Sequence, residues 1–475
     1  KFAVTDLTNN SDIVDVNFLF NTGPAQDPEG KKGLAALTAA MITNGGSAKK
    51  SIKEINQAML PMAAYFGSQV DKEMISLSGR VHKEKVDEWL DLVLDSLLDP
   101  GFREDDFKRL KTQQINSIQT DLKQNNDEEL GKEVLYQKLY PGHPYESLNL
   151  GAVSDLESIT LDDVKTFYRE QLTQDNLTVG ITGDLSEAQK QAMLDRITDE
   201  LNAEGAEQVA IEAAPEFSGR HVTIVEKQTM PTAVSFGFPI EVNRSHPDWV
   251  ALWLVRSFLG EHRNSNSFLY QRIREARGMN YGDYAYIEYF PRGMYRTQPN
   301  ANLGRSEQIF QVWLRPLRTN KDAHFATRTA MYELEKLIEN GLTDEQFEAT
   351  RAFLSKYAGL LLKGQDRVLG YHMDSDFYGT EGFVELVTSG LDALTTEQVN
   401  AVIKKHLQTD DIRFVFITSD GEDMRDRLIN DTTSAMEYNS EKPAELLAED
   451  EIIQDYPLQL KANNVKVVPI EEAFQ

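Results

Sequence analysis

The chain has 475 residues, with 49 Lys plus Arg against 76 Asp plus Glu for a formal charge of -27, 40% apolar residues and no cysteine. At roughly 100 to 200 residues per domain, that length corresponds to two to four domains, each able to bury a core. The charge excludes a nucleic-acid binder, which needs a basic stripe to neutralise phosphates, and the missing cysteines exclude disulfides, thiolate zinc sites and thiol nucleophiles.

No apolar run approaches the roughly 18 residues of a membrane span. The opening Lys1 in place of Met reads as a processed start, with any leader upstream. In chain order, VDVNFLFNTG from Val14 alternates as a strand, and LAALTAAM from Leu34 reads as an amphipathic helix covering the sheet. A helix-turn-helix follows in VLDSLLDPGFREDDFKRLK from Val93, then a loop at PGHPY, Pro141 to Tyr145. Thr160, with Asp163 at the third helical position, opens a capped helix carrying Val164, Phe167 and Leu172, which leads into the strand LTVGIT. AEGAEQVAIEAAPEFSG then reads as an exposed linker. A second strand and helix open at PTAVSFGFPIE from Pro231 and WVALWLVRSFLG from Trp249. Asn264 to Ser267 is a turn with Ser267 as the N-cap of the next helix, and Tyr281 to Phe290 alternates as an edge or sheet-face strand whose tyrosines pack or line a chamber wall. The tail from Asp420 holds 14 acidic and 5 basic residues and reads as a solvated extension wrapping the chain.

Internal similarity organises these elements. Leu156, Thr160, Val164, Leu172 and Asp175 meet Leu391, Thr395, Val399, Leu407 and Asp410 at one constant offset. The segment from Val93 returns as ELEKLIENGLTDEQFEATR from Glu333, with Leu94, Gly101 and Phe107 answering Leu334, Gly341 and Phe347. Two matches in the same order indicate duplication. The expected organisation is α+β, a pair of homologous sandwich-like domains over 1-205 and 219-430, a linker at 206-218 and an acidic extension at 431-475.

The segment from Thr22 to Met41, the PGHPY turn, GAVSDLESIT from Gly151 and SFLYQRIREARGMNYG from Ser267 together resemble the pitrilysin or insulinase family of zinc metallopeptidases, in its mitochondrial-processing-peptidase-like branch. The resemblance implies two α+β domains per half and two halves facing each other as a clamshell around a peptide chamber. Active members carry HxxEH on the first long helix and a distant glutamate. Two histidines at i and i+4 share a helical face, the glutamate between them activates a zinc-bound water, and the distant carboxylate completes the ligand set. Here the histidine positions fall on Ala36 and Ala40, the general base on Ala39 and the distant glutamate near Ser117. No ligand or base remains, so this chain is expected to hold no metal. None of the eight histidines stands four residues from another, and His143 and His262 fall on predicted loops as solvated or loop-stapling groups.

The resemblance also implies an arginine and a tyrosine seven residues apart that reach across the chamber to the substrate backbone, and RIREARGMNYG supplies Arg274 and Tyr281 at that spacing. A guanidinium fork and a phenol can donate to a peptide carbonyl and to the oxyanion that develops from it. Read without the resemblance, Arg274 would pair with Glu275 or Glu288, and Tyr281 would be a strand residue half in the core. The resulting expectation is the non-catalytic, substrate-binding subunit of a heterodimeric zinc metalloendopeptidase acting on peptides or unfolded polypeptides. Zinc and HxxEH would belong to a paralogous partner, and the complex would sit in a bacterial periplasm or cell envelope. The alternative is a metal-free peptide-binding or scaffold protein, including a homodimer.

Overall fold

In the computed structural model, residues 1-261, 264-293 and 296-475 are described. The first half of the chain runs β1 (Ala3–Thr8), β2 (Ile13–Phe20), α1 (Leu34–Asn44), α2 (Ile52–Met59), β3 (Tyr65–Asp71) and β4 (Met74–His82). It continues with α3 (Val86–Leu98), α4 (Glu104–Asn116), α5 (Asp127–Leu139), α6 (Val153–Ser158), α7 (Leu161–Gln171), β5 (Leu177–Gly183) and α8 (Glu187–Glu200). The second half runs β6 (His221–Glu226), β7 (Thr232–Ile240), α9 (Trp249–Gly260), β8 (Gly282–Tyr286), β9 (Gln308–Leu317), α10 (Asn320–Asn340) and α11 (Asp344–Leu361). Then come α12 (Gln365–Tyr378), α13 (Phe383–Ala393), α14 (Thr396–His406), β10 (Arg413–Thr418), α15 (Gly421–Ile429), α16 (Ala444–Ile453) and β11 (Val465–Pro469).

The fold is α+β and visibly duplicated. Sheet one has the order β1-β5-β2-β4-β3, and sheet two β11-β6-β10-β7-β9-β8. In both, the first strand pairs in parallel with the last strand of the repeat and every other shared pairing is antiparallel. The repeated helix-strand unit forms with the expected caps: Thr160 and Asp163 close a capping box on α7, and Thr395 and Gln398 close one on α14. A Ser or Thr N-cap of this kind stabilises its helix by about 1 kcal/mol.

Three expectations are corrected. Each half opens one strand earlier than the strands from Val14 and Pro231, with β1 and β6 supplying the parallel partner of β5 and β10. Ser267 does stand before a helix, but its Oγ is buried and makes no hydrogen bond, so it does not cap. The 431-475 tail is not merely solvated. Its strand β11 pairs with β6, and Ile453, Leu458 and Leu460 enter the second core.

The halves also exchange a helix. α5, from the first half, lies on β7 and β10 of sheet two, while α12, from the second, lies on β1, β2 and β5 of sheet one. Gly131 of α5 allows this close approach: a Cβ there would meet Ser235 Oγ at 3.2 Å. Tyr136 of α5 donates to Gln311 Oε1 of β9 at 2.7 Å, and Leu369 and Met373 of α12 pack on Leu19 and Met74. Cutting the chain at 206-218 would therefore separate each sheet from a helix that covers it.

The tail is anchored on α10. Arg328, fully buried, donates from Nε to the Tyr456 carbonyl at 2.8 Å and from Nη1 to the Thr432 carbonyl at 2.8 Å. Replacing it by Met leaves those buried acceptors unmet, a cost on the order of 3 kcal/mol. Arg328→Met is expected to make the tail cleavable by a glutamyl endopeptidase at the exposed Glu441 under native conditions, read by mass spectrometry of the fragments.

One turn earlier, His324 is 0% exposed and neither ring nitrogen has a partner. Burial, with Arg328 and Arg427 nearby, pushes its pKa from 6.5 down to about 3. The unfolded chain thus binds a proton that the folded chain refuses. Stability from this site is complete above about pH 6.5 and drains as pH falls toward 3. His324→Leu is expected to flatten that limb of the urea midpoint plotted against pH.

Candidate substrate-binding site and degenerate metal site

The first helix is held from outside its own N-terminus. Gly33, at φ 103° in the left-handed region, precedes it and cannot cap it with a side chain. Asp27 does so instead, with Oδ2 accepting from Gly33 N at 2.8 Å and Oδ1 from Ala35 N at 2.8 Å. Burial pushes the Asp27 carboxyl up to about 7 against these two bonds. A Cβ on Gly33 would meet the Leu150 carbonyl oxygen at 2.5 Å, so the turn requires glycine.

On this helix Ala39 is fully buried, Ala36 is nearly so and Ala40 is half-buried. α4 packs against α1, and its Gln114 donates to the Gly33 carbonyl at 3.0 Å. Ser117 begins a π-helical segment, Ser117–Leu122, that continues α4. α1 and α4 pack together, but the four positions that the resemblance assigns to a metal site carry three methyl groups and one hydroxyl. No imidazole or carboxylate stands at any of the four positions, so the residues do not fit zinc.

Among the described residues one group of potential ligands does converge, His246, Asp248 and His406, where α14 ends against the start of α9. Asp248 Oδ2 lies 2.7 Å from His406 Nε2 and 2.9 Å from Lys405 Nζ, and Asp248 N donates to His246 Nδ1 at 3.0 Å. His246 Nδ1 already accepts a backbone N-H, and Asp248 Oδ2 already holds an ammonium. This is an ion-pair staple between two helices. His143 staples a loop, with Nδ1 accepting from Tyr145 N at 3.0 Å and Nε2 2.8 Å from the Glu212 carbonyl. His262 lies outside the described residues.

Arg274 sits in a π-helical turn, Tyr270–Glu275, and Tyr281 directly precedes β8, the edge strand of sheet two. Such turns are enriched at functional sites. The Arg274 guanidinium lies 4.5 Å from the Tyr281 ring centroid, and the ring is 73% exposed. Neither bland pairing of Arg274 forms. Glu288 is held by Arg244 at 2.7 and 3.3 Å, and no ion pair joins Arg274 to Glu275. Arg274 Nε is buried without an acceptor. Asn280 donates to Asp283 Oδ1 at 2.6 Å, yet Asn280 Oδ1 and Asp283 Oδ2 are also unmet. Burial raises the Asp283 carboxyl well above its ordinary range, opposed by Asn280 and by Arg274. Arg274 Nε, Asn280 Oδ1 and Asp283 Oδ2 are thus all buried and unmet, and each carries a desolvation cost of about 1 to 3 kcal/mol.

The acidic tail fixes this turn. Arg277 Nε meets Asp450 Oδ1 at 2.8 Å, Arg272 meets Glu333 at 3.0 Å and also pairs with Glu449, and Lys442 donates to the Ala276 carbonyl at 2.9 Å. Composition alone did not single out the tail as a positioning element, because its charge reads as solvation until the arginines facing it are known.

The chain belongs to the M16 peptidase family: the family model for insulinase (peptidase family M16) matches residues 3–150, and that for the peptidase M16 inactive domain matches residues 158–354. It is similar to the non-peptidase homolog YmxG of Helicobacter pylori, 21% identical over 420 residues that cover 86% of this chain and 89% of that one. It is also similar to the zinc protease PqqE of the same strain, 21% identical over 268 residues, 54% of this chain and 58% of that one. Among solved structures, a peptidase M16 inactive domain from Pseudomonas fluorescens superposes with a TM-score of 0.75 at 24% identity, covering 88% of this chain and 96% of that one. The periplasmic protease PqqL from Escherichia coli superposes at 0.68 and 12% identity, covering 95% of this chain and 48% of that one. The chain is thus a non-catalytic, peptidase-like member of the family. No helix of the described residues is long and apolar enough to cross a membrane.

Proposed function

We propose that this chain is the substrate-binding subunit of a heterodimeric zinc metalloendopeptidase. A paralogous partner bears HxxEH and the zinc, while Arg274 and Tyr281 hold the backbone of a peptide or unfolded polypeptide at the partner's site. The observation that carries this reading is the Arg274-Tyr281 pair itself, mutually stacked, beside an open sheet edge and surrounded by unmet polar groups. All four metal-site positions are lost, which suits a division of labour between two chains. One Helicobacter pylori strain supplies both a non-peptidase relative and a zinc protease relative, which supports such a pair. The periplasmic PqqL neighbour is in keeping with a cell-envelope location.

The test is cleavage of a quenched fluorescent peptide, with zinc quantified, by this chain alone and after mixing with its HxxEH-bearing paralogue. The proposal expects a silent, zinc-free chain and a mixture that cleaves. If the two form no complex and no activity appears, the chain is a peptide-binding or scaffold protein instead.

A further inference from the structure

A cavity of about 410 Å³ opens between sheet one, α12 and the segment around Asn302, away from the Arg274-Tyr281 pair. Side chains alternate along β2, so Phe18 and Phe20 enter the main core while Asn17 and Leu19 turn toward α12. At one end of this face Leu369 and Met373 seal against Leu19 and Met74. At the other end the wall is polar and open.

That wall is already ordered. Ser76 donates to Asn17 Oδ1 at 2.8 Å, Asn17 donates to Asn302 Oδ1 at 2.9 Å, and Gln69 donates to the Ala301 carbonyl at 2.8 Å. Two carboxylates line the cavity, Asp15 and Asp366, and both are held by Arg80, at 2.6 and 3.0 Å. Arg367 is not held in this way. Its Nε is buried with no hydrogen bond, its guanidinium lies 5.4 Å from the Tyr371 ring centroid, and no ion pair reaches it among the described residues. Lys363 lines the cavity and is exposed. Asn300 donates to Gln69 Oε1 at 3.1 Å, but its own Oδ1 is buried and receives nothing.

An unmet guanidinium donor calls for an anion, and an unmet carboxamide oxygen calls for an N-H. The last residue of a peptide carries both, a carboxylate and an amide N-H, whereas ionised dicarboxylates offer acceptors only and inorganic phosphate offers an O-H but no N-H. We propose that this cavity binds the C-terminal residue of a peptide, with its carboxylate on Arg367 and its amide N-H on Asn300 Oδ1. Lys363 adds attraction that offsets the chain's charge of -27, which otherwise repels an anion. The volume lies within the range of small-ligand sites. The proposal stands apart from the heterodimer reading, since it needs no partner and uses neither Arg274 nor Tyr281.

The experiment measures fluorescence anisotropy of an N-terminally fluorescein-labelled hexapeptide on the full chain, as the free acid and as the C-terminal amide. The free acid is expected to bind about tenfold or more tightly than the amide, the value of one charge-assisted contact. Arg367→Gln should abolish that preference, Lys363→Ala should weaken it, and Lys461→Ala, exposed on the tail and outside the cavity, should leave it intact. Unchanged thermal melting of the exposed Lys363→Ala variant keeps the test valid if Arg367→Gln fails to fold. Equal binding of acid and amide, no binding of either, or displacement of the peptide by equimolar succinate or inorganic phosphate would overturn the assignment.

Discussion

In the mixed complex, Arg274→Ala is expected to lower kcat about 10² to 10³-fold, the loss seen when one preorganised donor is removed from a developing oxyanion. Tyr281→Phe, which keeps the ring that stacks on Arg274 and removes only the hydroxyl, should cost about 10-fold to 10²-fold. The chemistry separates these from a packing defect. Tyr281 is 73% exposed, so losing its hydroxyl creates no cavity, and assembly with the partner should be unchanged by size-exclusion chromatography. Arg274→Lys keeps the charge but not the planar fork, and should fall between wild type and Ala. A donor that strengthens only in the transition state lowers kcat and kcat/KM together, whereas one that merely grips the peptide raises KM alone. An effect confined to KM would therefore reassign the pair from stabilising the reaction to anchoring the substrate. The tail should matter for the same reason. Asp450 and Glu449 hold Arg277 and Arg272 on either side of Arg274, so weakening them loosens the turn that aims it.

What could be read from the sequence follows from how local each signal is. The repeated unit was legible because a Thr cap, its third-position acceptor and the apolar spacing of α7 and α14 all lie within one short stretch. The strands β1 and β6 were not, because AVTDLT and HVTIVE are short and draw their stability from parallel neighbours far along the chain. The exchange of α5 and α12 leaves no local trace either, since an amphipathic helix does not record which sheet it covers. For the site, the alanines at 36, 39 and 40 acquire meaning only through the family resemblance. The same resemblance placed Arg274 and Tyr281, while their mutual stacking and the unmet groups around them required coordinates. The Arg367 cavity had no sequence signal at all, as its wall comes from β2, β3, β4 and two segments of the other half.

The same non-local logic predicts the largest stability effect. Arg305→Met is expected to destabilise the chain by about 3 to 5 kcal/mol, read as a fall in the urea midpoint. Arg305 meets Asp71 through two parallel bonds, Nε to Oδ2 at 2.8 Å and Nη2 to Oδ1 at 2.6 Å, across 234 residues of chain. Both residues are buried, and the guanidinium lies 3.6 Å from the Tyr289 ring centroid. Asp71 ends the edge strand of sheet one and Arg305 leads into β9 of sheet two, so the pair ties the two halves together. Removing the arginine leaves a buried carboxylate without its counter-charge and changes the field at Lys72, whose pKa burial and Arg305 together push down to about 8. Most of the cost is that stranded charge rather than the lost attraction, because two charges must first be stripped of water to form the pair. The double variant Asp71→Leu with Arg305→Met should therefore recover much of the stability lost by Arg305→Met alone. A double-mutant cycle gives the coupling directly. If the double variant is as unstable as the sum of the two singles, the pair acts by shape rather than charge, and the junction between the halves is held by the packing of Tyr145 and Tyr289 around it.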